Sequence, residues 1–243
     1  AEMVIAKGQI IAEHGEWKVK LPRFKYPSWV TKSVKLKRRL KAEDFQLKVS
    51  SRQSSVKANV IGVIENQAPT KHLTFELQPE NGEIKADMER DIAKIALVER
   101  HKGTGGITFG LVSGFGFDSQ CAVASTVAHD SHHMIVVGTD EESMAVAANA
   151  LARSGGGQVV VKERKVIGQV DLMIAGLMSN EKADIVAKKA GTILDGFKTC
   201  GCTLNNPNMQ LSLLALVVIP ELRISDKGLV DVTKFNFVPV VEE

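Results

Sequence analysis

The sequence predicts an α/β fold with a mixed sheet, preceded by a small β segment. Residues 1–88 are rich in strand patterns and poor in helix patterns, whereas residues 89–243 alternate short valine-rich runs with amphipathic stretches. Of the 243 residues, 44% are hydrophobic and 24% are charged, which is typical of a globular protein. We therefore divide the chain into a β-rich segment, 1–88, and an α/β domain, 89–243.

Strand signals in the first segment come in pairs. Residues 9–12 and 17–19 flank a hairpin-like turn at 14–16, and residues 56–64 and 72–77 give a second pair. Two or three short strands bury too little apolar surface to be stable alone. We expect this segment to pack against a neighbour.

The second segment alternates strands and helices. Strands are predicted at 92–99, 122–128 and 134–137, followed by a hairpin of 158–162 and 165–170.

Two helices are predicted between and after these strands. Thr139 and Glu142 have the spacing of a capping box that opens the first helix, and the glycines at 155–157 end it. The second helix spans about 180–198, with Ser179 as its N-cap and Leu194 on its apolar face. A buried segment, 211–220, follows.

Composition and charge exclude several functional classes. The net charge is +3, and the basic run at 32–41 has neither interleaved aromatic residues nor a glycine-rich loop. We therefore predict that this run is a solvated face or a surface that contacts another, acidic domain, and we expect no nucleic-acid partner. No apolar run approaches eighteen residues and the N-terminus lacks a leader pattern, so we expect a soluble, cytoplasmic protein with no membrane partner.

The three cysteines give no disulfide framework. Cys200 and Cys202 form a Cys-x-Cys pair that could bind a soft metal. No other cysteine or histidine stands close to the pair in sequence, which favours two small apolar residues at a helix end.

The densest group of titratable residues lies between two predicted strands. His129, Asp130, Ser131 and His132 are the candidate catalytic residues, and His133 follows them. A His-x-x-His spacing can hold a metal if the backbone turns, and Asp130 could orient one ring. Ser131 could act as a nucleophile only beside a base. The alternative is a polar turn whose side chains satisfy backbone groups.

Arg100 and His101 end a predicted strand and are candidate substrate-binding residues. Arg100 could pair with a carboxylate, and His101 could join the histidine group in space. An ordinary charged strand end is the alternative. The glycine-rich passage 103–116 matches neither the dinucleotide fingerprint nor the P-loop pattern.

Together these motifs resemble the C-terminal region of bacterial and archaeal adenine deaminases. The resemblance runs in order from about residue 84 to 238 and rests on seven blocks: Glu99-Arg100-His101, Gly114-Phe115-Gly116, ASTVAHDSHHMIVVG from 124, GGGQVVV from 155, IAGLMS from 174, LSLLALVVIPEL from 211 and KGLVDV from 227. Residues 1–80 look like the β segment, part of a β-sandwich, that follows the catalytic barrel in that family.

The resemblance implies hydrolysis of adenine to hypoxanthine and ammonia by a metal-dependent amidohydrolase. A divalent metal, manganese or iron, held in a (β/α)₈ barrel, lowers the pKa of a bound water in such enzymes. The expected partners are that barrel, as a domain or a separate chain, adenine as substrate, and further copies in a homo-oligomer.

Three departures from the family pattern matter. The chain has no His-x-His, which begins the ligand set of the barrel, so we expect the catalytic barrel to be absent and no metal ligands in this chain. The family usually has Asn at the position of His133, and Gly-Ala where Gln120 and Cys121 stand.

Two roles for the histidine group remain open at this point. It either closes over the mouth of the barrel and contacts the purine or the metal-bound water, or it pins two strands and a domain interface. The competing functions for the whole chain are a non-catalytic module that binds a purine or a metal, and a stand-alone hydrolase with His129, Asp130 and His132 as metal ligands.

Overall fold

The structure, a computed structural model, describes residues 1–20, 24–50 and 54–242. The described residues form seventeen strands: β1 (Met3–Ala6), β2 (Gln9–Glu13), β3 (Glu16–Trp17), β4 (Leu47–Lys48), β5 (Val56–Val63), β6 (Thr70–Leu77), β7 (Glu83–Ile84), β8 (Ile92–Val98), β9 (Ile107–Ser113), β10 (Cys121–Ser125), β11 (Met134–Gly138), β12 (Gly157–Lys162), β13 (Lys165–Asp171), β14 (Leu222–Ser225), β15 (Gly228–Asp231), β16 (Asn236–Val238) and β17 (Val241–Glu242). The described helices are α1 (Ser28–Thr31), α2 (Glu141–Ser154), α3 (Ala183–Thr199), α4 (Pro207–Leu213) and a 3₁₀ helix (Ala42–Phe45).

Nine of these strands form one mixed sheet. Its order is β13-β12-β10-β11-β8-β9-β5-β17, and β6 pairs with β5. Only the β5–β9 pair is parallel among the described strand pairs of this sheet. The α/β class with a mixed sheet is therefore confirmed, and no described sheet closes into a barrel.

The sheet takes strands from both sides of residue 88. β5 and β6 precede this position and β8 to β13 follow it. Residue 88 itself lies in the connection between β7 and β8. The two predicted segments thus share one hydrogen-bonded sheet.

Both faces of the sheet are covered, which explains the apolar strand patterns. Successive side chains of a strand point to opposite faces. On β10, Val123 packs in the cluster that includes Phe197 of α3, while Ala122 and Ala124 pack in the cluster that includes Met144 of α2. The sheet is therefore the middle of three layers, with α2 on one face and α3 and α4 on the other.

Both long helices occur as predicted, but their N-caps differ from the prediction. The side chain of Asp140, not of Thr139, accepts the N–H of Ser143 and caps α2. The Thr139 hydroxyl instead donates to the carbonyl oxygen of Ser119. Gly155 ends α2 in a left-handed conformation, as predicted.

The region of α3 and α4 corrects three further details. Helix α3 begins after Lys182 rather than Ser179. Leu194 is 42% exposed, because the buried positions of α3 are Ile193, Gly196 and Phe197. Segment 211–220 is only partly buried: it begins within α4, and Val218 is 64% exposed. Cys200, the C-cap residue of α3, and Cys202 are buried thiols, which confirms their interpretation as apolar residues at a helix end.

The predicted hairpin at 9–17 is present, as part of the sheet β1–β3. No residue of these three strands is buried, and five of their large apolar side chains are exposed: Met3, Val4, Ile5, Ile10 and Trp17. The expectation that this segment needs a neighbour agrees with this exposure.

One lysine is buried in the layer between the sheet and α2. The side chain of Lys94 on β8 is 1% exposed, and its ammonium group contacts the carboxylates of Glu83 and Glu141. The pKa of Glu141 is about 2: burial alone would raise it, but the bond from Lys94 lowers it. The group links β7, β8 and the first turn of α2.

We predict that Lys94→Met lowers the free energy of unfolding by about 3 kcal/mol, because it leaves two carboxylates without their buried partner. Urea denaturation monitored by circular dichroism measures the change. Lys85 contacts the same two carboxylates but its side chain is 41% exposed, so Lys85→Met is the matched control and should cost less than about 1 kcal/mol. Equal losses in the two variants would contradict the prediction.

Candidate functional site

The histidine group lies on the loop 126–133, which joins β10 to β11 at one edge of the central sheet. We call this segment the histidine loop. Its backbone is held at several points: the N–H of His129 donates to the carbonyl oxygen of Ser212 over 3.0 Å, and that of His132 donates to Ala128 over 2.8 Å. The loop therefore has a fixed path across the end of the sheet.

Thr126 anchors the start of the histidine loop. Its hydroxyl donates to the carbonyl oxygen of Gly176 over 2.6 Å and accepts the N–H of Gly157 over 2.8 Å. The side chain is buried, so both bonds are shielded from water. The loop is thereby joined to the start of β12 and to the segment that follows β13.

Arg100 anchors the other end of the histidine loop. The guanidinium donates to the carbonyl oxygens of His132 over 2.6 Å and Ala175 over 3.2 Å, and to Ser33 over 3.4 Å. Arg100 is 1% exposed, and burial lowers its pKa to about 10, so it stays protonated at neutral pH. No described carboxylate lies within ion-pair distance of it.

Gly176 is required beside this guanidinium. Its φ is +73°, and a Cβ there would lie 2.8 Å from Nη1 of Arg100. A larger residue would combine backbone strain with a steric clash. The motif IAGLMS therefore supplies the carbonyl oxygen of Ala175 as a hydrogen-bond acceptor for Arg100. Its Gly176 allows the backbone to lie close to the guanidinium.

Two side chains of the histidine loop take no part in this anchoring. Neither the ring of His129 nor the carboxylate of Asp130 makes a hydrogen bond or ion pair with another described residue. Asp130 and Ser131 are exposed and His129 is half-buried. The rings of His129 and His132 meet edge to face, with centroids 5.2 Å apart.

His132 is held in one orientation. Its Nδ1 accepts the N–H of Ala128 over 3.3 Å, which leaves Nε2 as the donor of the neutral ring. Burial lowers the pKa of His132, and the positive charges of His129 and Arg100 lower it further. The ring is therefore neutral at pH 7 and can donate one hydrogen bond.

His101 lies beside the histidine loop, as the sequence suggested. Its Nε2 donates to the carbonyl oxygen of Ser131 over 2.8 Å, and its side chain is exposed. Glu99 shapes the turn that presents His101, because its carboxylate accepts the N–H groups of His101, Lys102 and Thr104. Burial alone would raise the pKa of Glu99, but these bonds lower it to about 2.

The structure thus assembles all six candidate residues around one loop but gives them different positions. Asp130 and Ser131 are exposed and His101 lies beside them, whereas Arg100 is enclosed. Sequence reasoning did not identify Thr126 and Glu99 as anchors. Glu99 belongs to the motif Glu99-Arg100-His101, but only the fold shows that its carboxylate organises the turn.

The described residues offer no ligand set for a metal ion. Nowhere in the described ranges do three His, Cys, Asp or Glu side chains converge as metal ligands. His129, Asp130 and His132 therefore do not fit a divalent metal in this arrangement, and we derive no metal-dependent step from them. None of the helices that the structure describes is long and apolar enough to cross a bilayer.

Comparison with known proteins agrees with the architecture and the motifs. The model of the adenine deaminase C-terminal domain family matches residues 67–236. The chain belongs to this family. The matched region includes the histidine loop and the four residues after position 99 that hold it: Arg100, Gly157, Gly176 and Ser212.

Curated relatives extend the match to nearly the whole chain. An adenine deaminase of Roseobacter denitrificans is 54% identical over 241 residues, adenine deaminase 3 of Rhizobium meliloti is 51% identical over 240, and an adenine deaminase of Moorella thermoacetica is 41% identical over 240. Each alignment covers 99% of this chain and 40% of the relative. The chain therefore spans about 40% of the length of these relatives.

We predict that Glu99→Gln lowers the free energy of unfolding by about 2 kcal/mol at pH 6, because charge-assisted bonds to the turn are lost. The pKa of Glu99 is lowered in the folded state, so its contribution is complete above about pH 4.5 and disappears as the pH falls toward about 2. The difference between the two proteins should therefore shrink over this range.

Urea denaturation at several pH values between 6 and 3 measures this difference. Glu89→Gln is the control, because Glu89 is exposed and its carboxylate makes no hydrogen bond with a described residue. A difference for Glu99→Gln that stays constant with pH would show that the carboxylate charge does not stabilise the turn.

Proposed function

We propose that this chain is the C-terminal part of an adenine deaminase and that its histidine loop caps the active site in the rest of the protein. The whole enzyme converts adenine and water to hypoxanthine and ammonia. The metal that the resemblance implies belongs to the remaining part, an amidohydrolase barrel. Family membership and the relatives that are named adenine deaminases support the assignment.

One observation carries the proposed role of the loop. Its backbone is fixed at both ends by Thr126 and Arg100, whereas the side chains of His129 and Asp130 have no hydrogen-bond partner among the described residues. Polar groups held rigidly without internal partners are pre-organised for a ligand or a facing domain. A turn that only satisfied its own backbone would use these side chains internally.

The chemistry of the loop suits a purine. A neutral His132 can donate one hydrogen bond, His129 offers a second imidazole, and Asp130 can accept from an N–H group. An imidazole close to the leaving amine can also act as the general acid that releases ammonia. These groups would contact the purine or the attacking water, and Arg100 would position them without touching substrate.

The sheet β1–β3 is the proposed contact with the barrel. A small sheet is marginally stable alone, and exposed apolar side chains of this kind mark a surface that another domain covers. We further propose that the assembled enzyme is a homo-oligomer, which the family resemblance implies. We place it in the cytoplasm, a reducing compartment that suits the three free cysteines.

A chimera tests the proposed function. We predict that the Roseobacter denitrificans relative keeps adenine deaminase activity when this chain replaces its homologous 40%, because the two sequences are 54% identical there. The isolated chain should release no ammonia from adenine. Ammonia release by the isolated chain, or a folded chimera without activity, would contradict the proposal.

Substitution of His129 in the same chimera tests the capping role. We predict that His129→Ala lowers kcat at least about tenfold and leaves Tm nearly unchanged, because the ring makes no hydrogen bond or ion pair that supports the fold. Lys188→Ala is the control, since Lys188 is an exposed residue of α3, far in the chain from both the histidine loop and the sheet β1–β3.

The competing role predicts the opposite pattern. If the loop only pins strands, His129→Ala lowers Tm and leaves the turnover per folded molecule intact. A loss of activity of less than about threefold would reject the capping role.

A further inference from the structure

A cavity opens beside the histidine loop, under the turn that follows β8. Its volume is about 350 Å³, and its polar lining includes His101, Lys102, His133 and Asp226. Leu97 forms part of its floor. The size lies at the lower end of the range for small-molecule sites, which is roughly 300 to 1,000 Å³.

His133 is the buried polar residue of this cavity. It is 8% exposed, and its Nδ1 has no hydrogen-bond partner among the described residues. The ring packs against His101, with centroids 4.8 Å apart. A buried polar atom without a partner is uncommon in native proteins and needs an explanation.

The cavity presents hydrogen-bond acceptors. A carbonyl oxygen only accepts, so the bond to Ser131 places a proton on Nε2 of His101 and leaves Nδ1 of the neutral ring as an acceptor. The carboxylate of Asp226 makes no hydrogen bond or ion pair with a described side chain, although its backbone carbonyl accepts the hydroxyl of Thr108. Two acceptors are therefore available to a ligand.

The charge of the lining is negative. Glu99 and Asp226 contribute two negative charges, and Lys102 contributes one positive charge. Burial lowers the pKa of His133 and the neighbouring His101 lowers it further, so its ring is neutral at pH 7. Glu99 contributes its negative charge but no free acceptor, since both carboxylate oxygens already accept hydrogen bonds from the turn.

We propose that this cavity binds a small cation with N–H donors, such as a primary ammonium or a guanidinium ion. The ligand donates to the carboxylate of Asp226 and to the imidazole of His101, and it supplies the partner that the buried ring of His133 lacks. The site adjoins the histidine loop, because His133 is the last residue of that loop and His101 donates to the carbonyl oxygen of Ser131. It does not depend on the proposed deaminase function.

Titration of the full chain with simple cations tests the site. The histidine rings are labelled with ¹⁵N, and their signals are followed by NMR during addition of methylammonium chloride, guanidinium chloride or tetramethylammonium chloride at millimolar concentrations. We predict saturable shifts of the His101 and His133 signals with the first two cations. Tetramethylammonium has the same charge but no N–H donor, so it should give no saturable shift.

Two variants locate the binding. Asp226→Asn should weaken binding at least about tenfold, because it replaces the carboxylate of a charge-assisted bond. Asp226 is exposed, so the variant keeps the fold, which its Tm verifies. Asp195→Asn, an exposed residue of α3 outside the cavity lining, is the matched control and should bind normally.

Three results would overturn the proposal: no saturable shift with either N–H cation, the same shift with tetramethylammonium, or unchanged affinity in Asp226→Asn. None of these readouts involves adenine or its deamination. A failure here therefore differs from a failure of the proposed function, which the chimera reports.

Discussion

The buried guanidinium of Arg100 is the interaction on which the candidate site depends. It bridges carbonyl oxygens of three segments that are far apart in sequence: Ser33, His132 and Ala175. Burial of a protonated guanidinium is energetically unfavourable unless its N–H groups form hydrogen bonds. Here the acceptors are backbone oxygens and not a carboxylate. The path of the histidine loop is thus fixed by hydrogen bonding to its backbone, which leaves its side chains available.

Arg223 is a second buried arginine whose guanidinium donates to backbone carbonyl oxygens. It is fully buried, burial lowers its pKa to about 10, and its N–H groups donate to the carbonyl oxygens of Leu213, Ile219 and Ala68. It holds the irregular segment after α4, and α4 in turn supplies the carbonyl of Ser212 to the histidine loop. Two buried arginines therefore organise the irregular backbone at this edge of the sheet.

The histidine loop, which contributes His133 to the lining of the cavity, also meets the cavity at Ser131. Its backbone carbonyl binds His101, which lines the cavity, while its side chain lies on the exposed face of the histidine loop. A ligand that changes the position of His101 would act on the loop through one hydrogen bond.

The sequence by itself determined the mixed α/β class, most strands, both long helices and the family, because apolar periodicity and long motifs are local signals. It also placed six candidate residues close together, since four of them are consecutive. Only the tertiary structure decided that Arg100 is enclosed while the carboxylate of Asp130 is exposed, that Asp140 rather than Thr139 caps α2, and that Asp226 and His133 line one cavity. Burial and hydrogen-bond partners depend on segments distant in the chain, and local sequence carries no record of them.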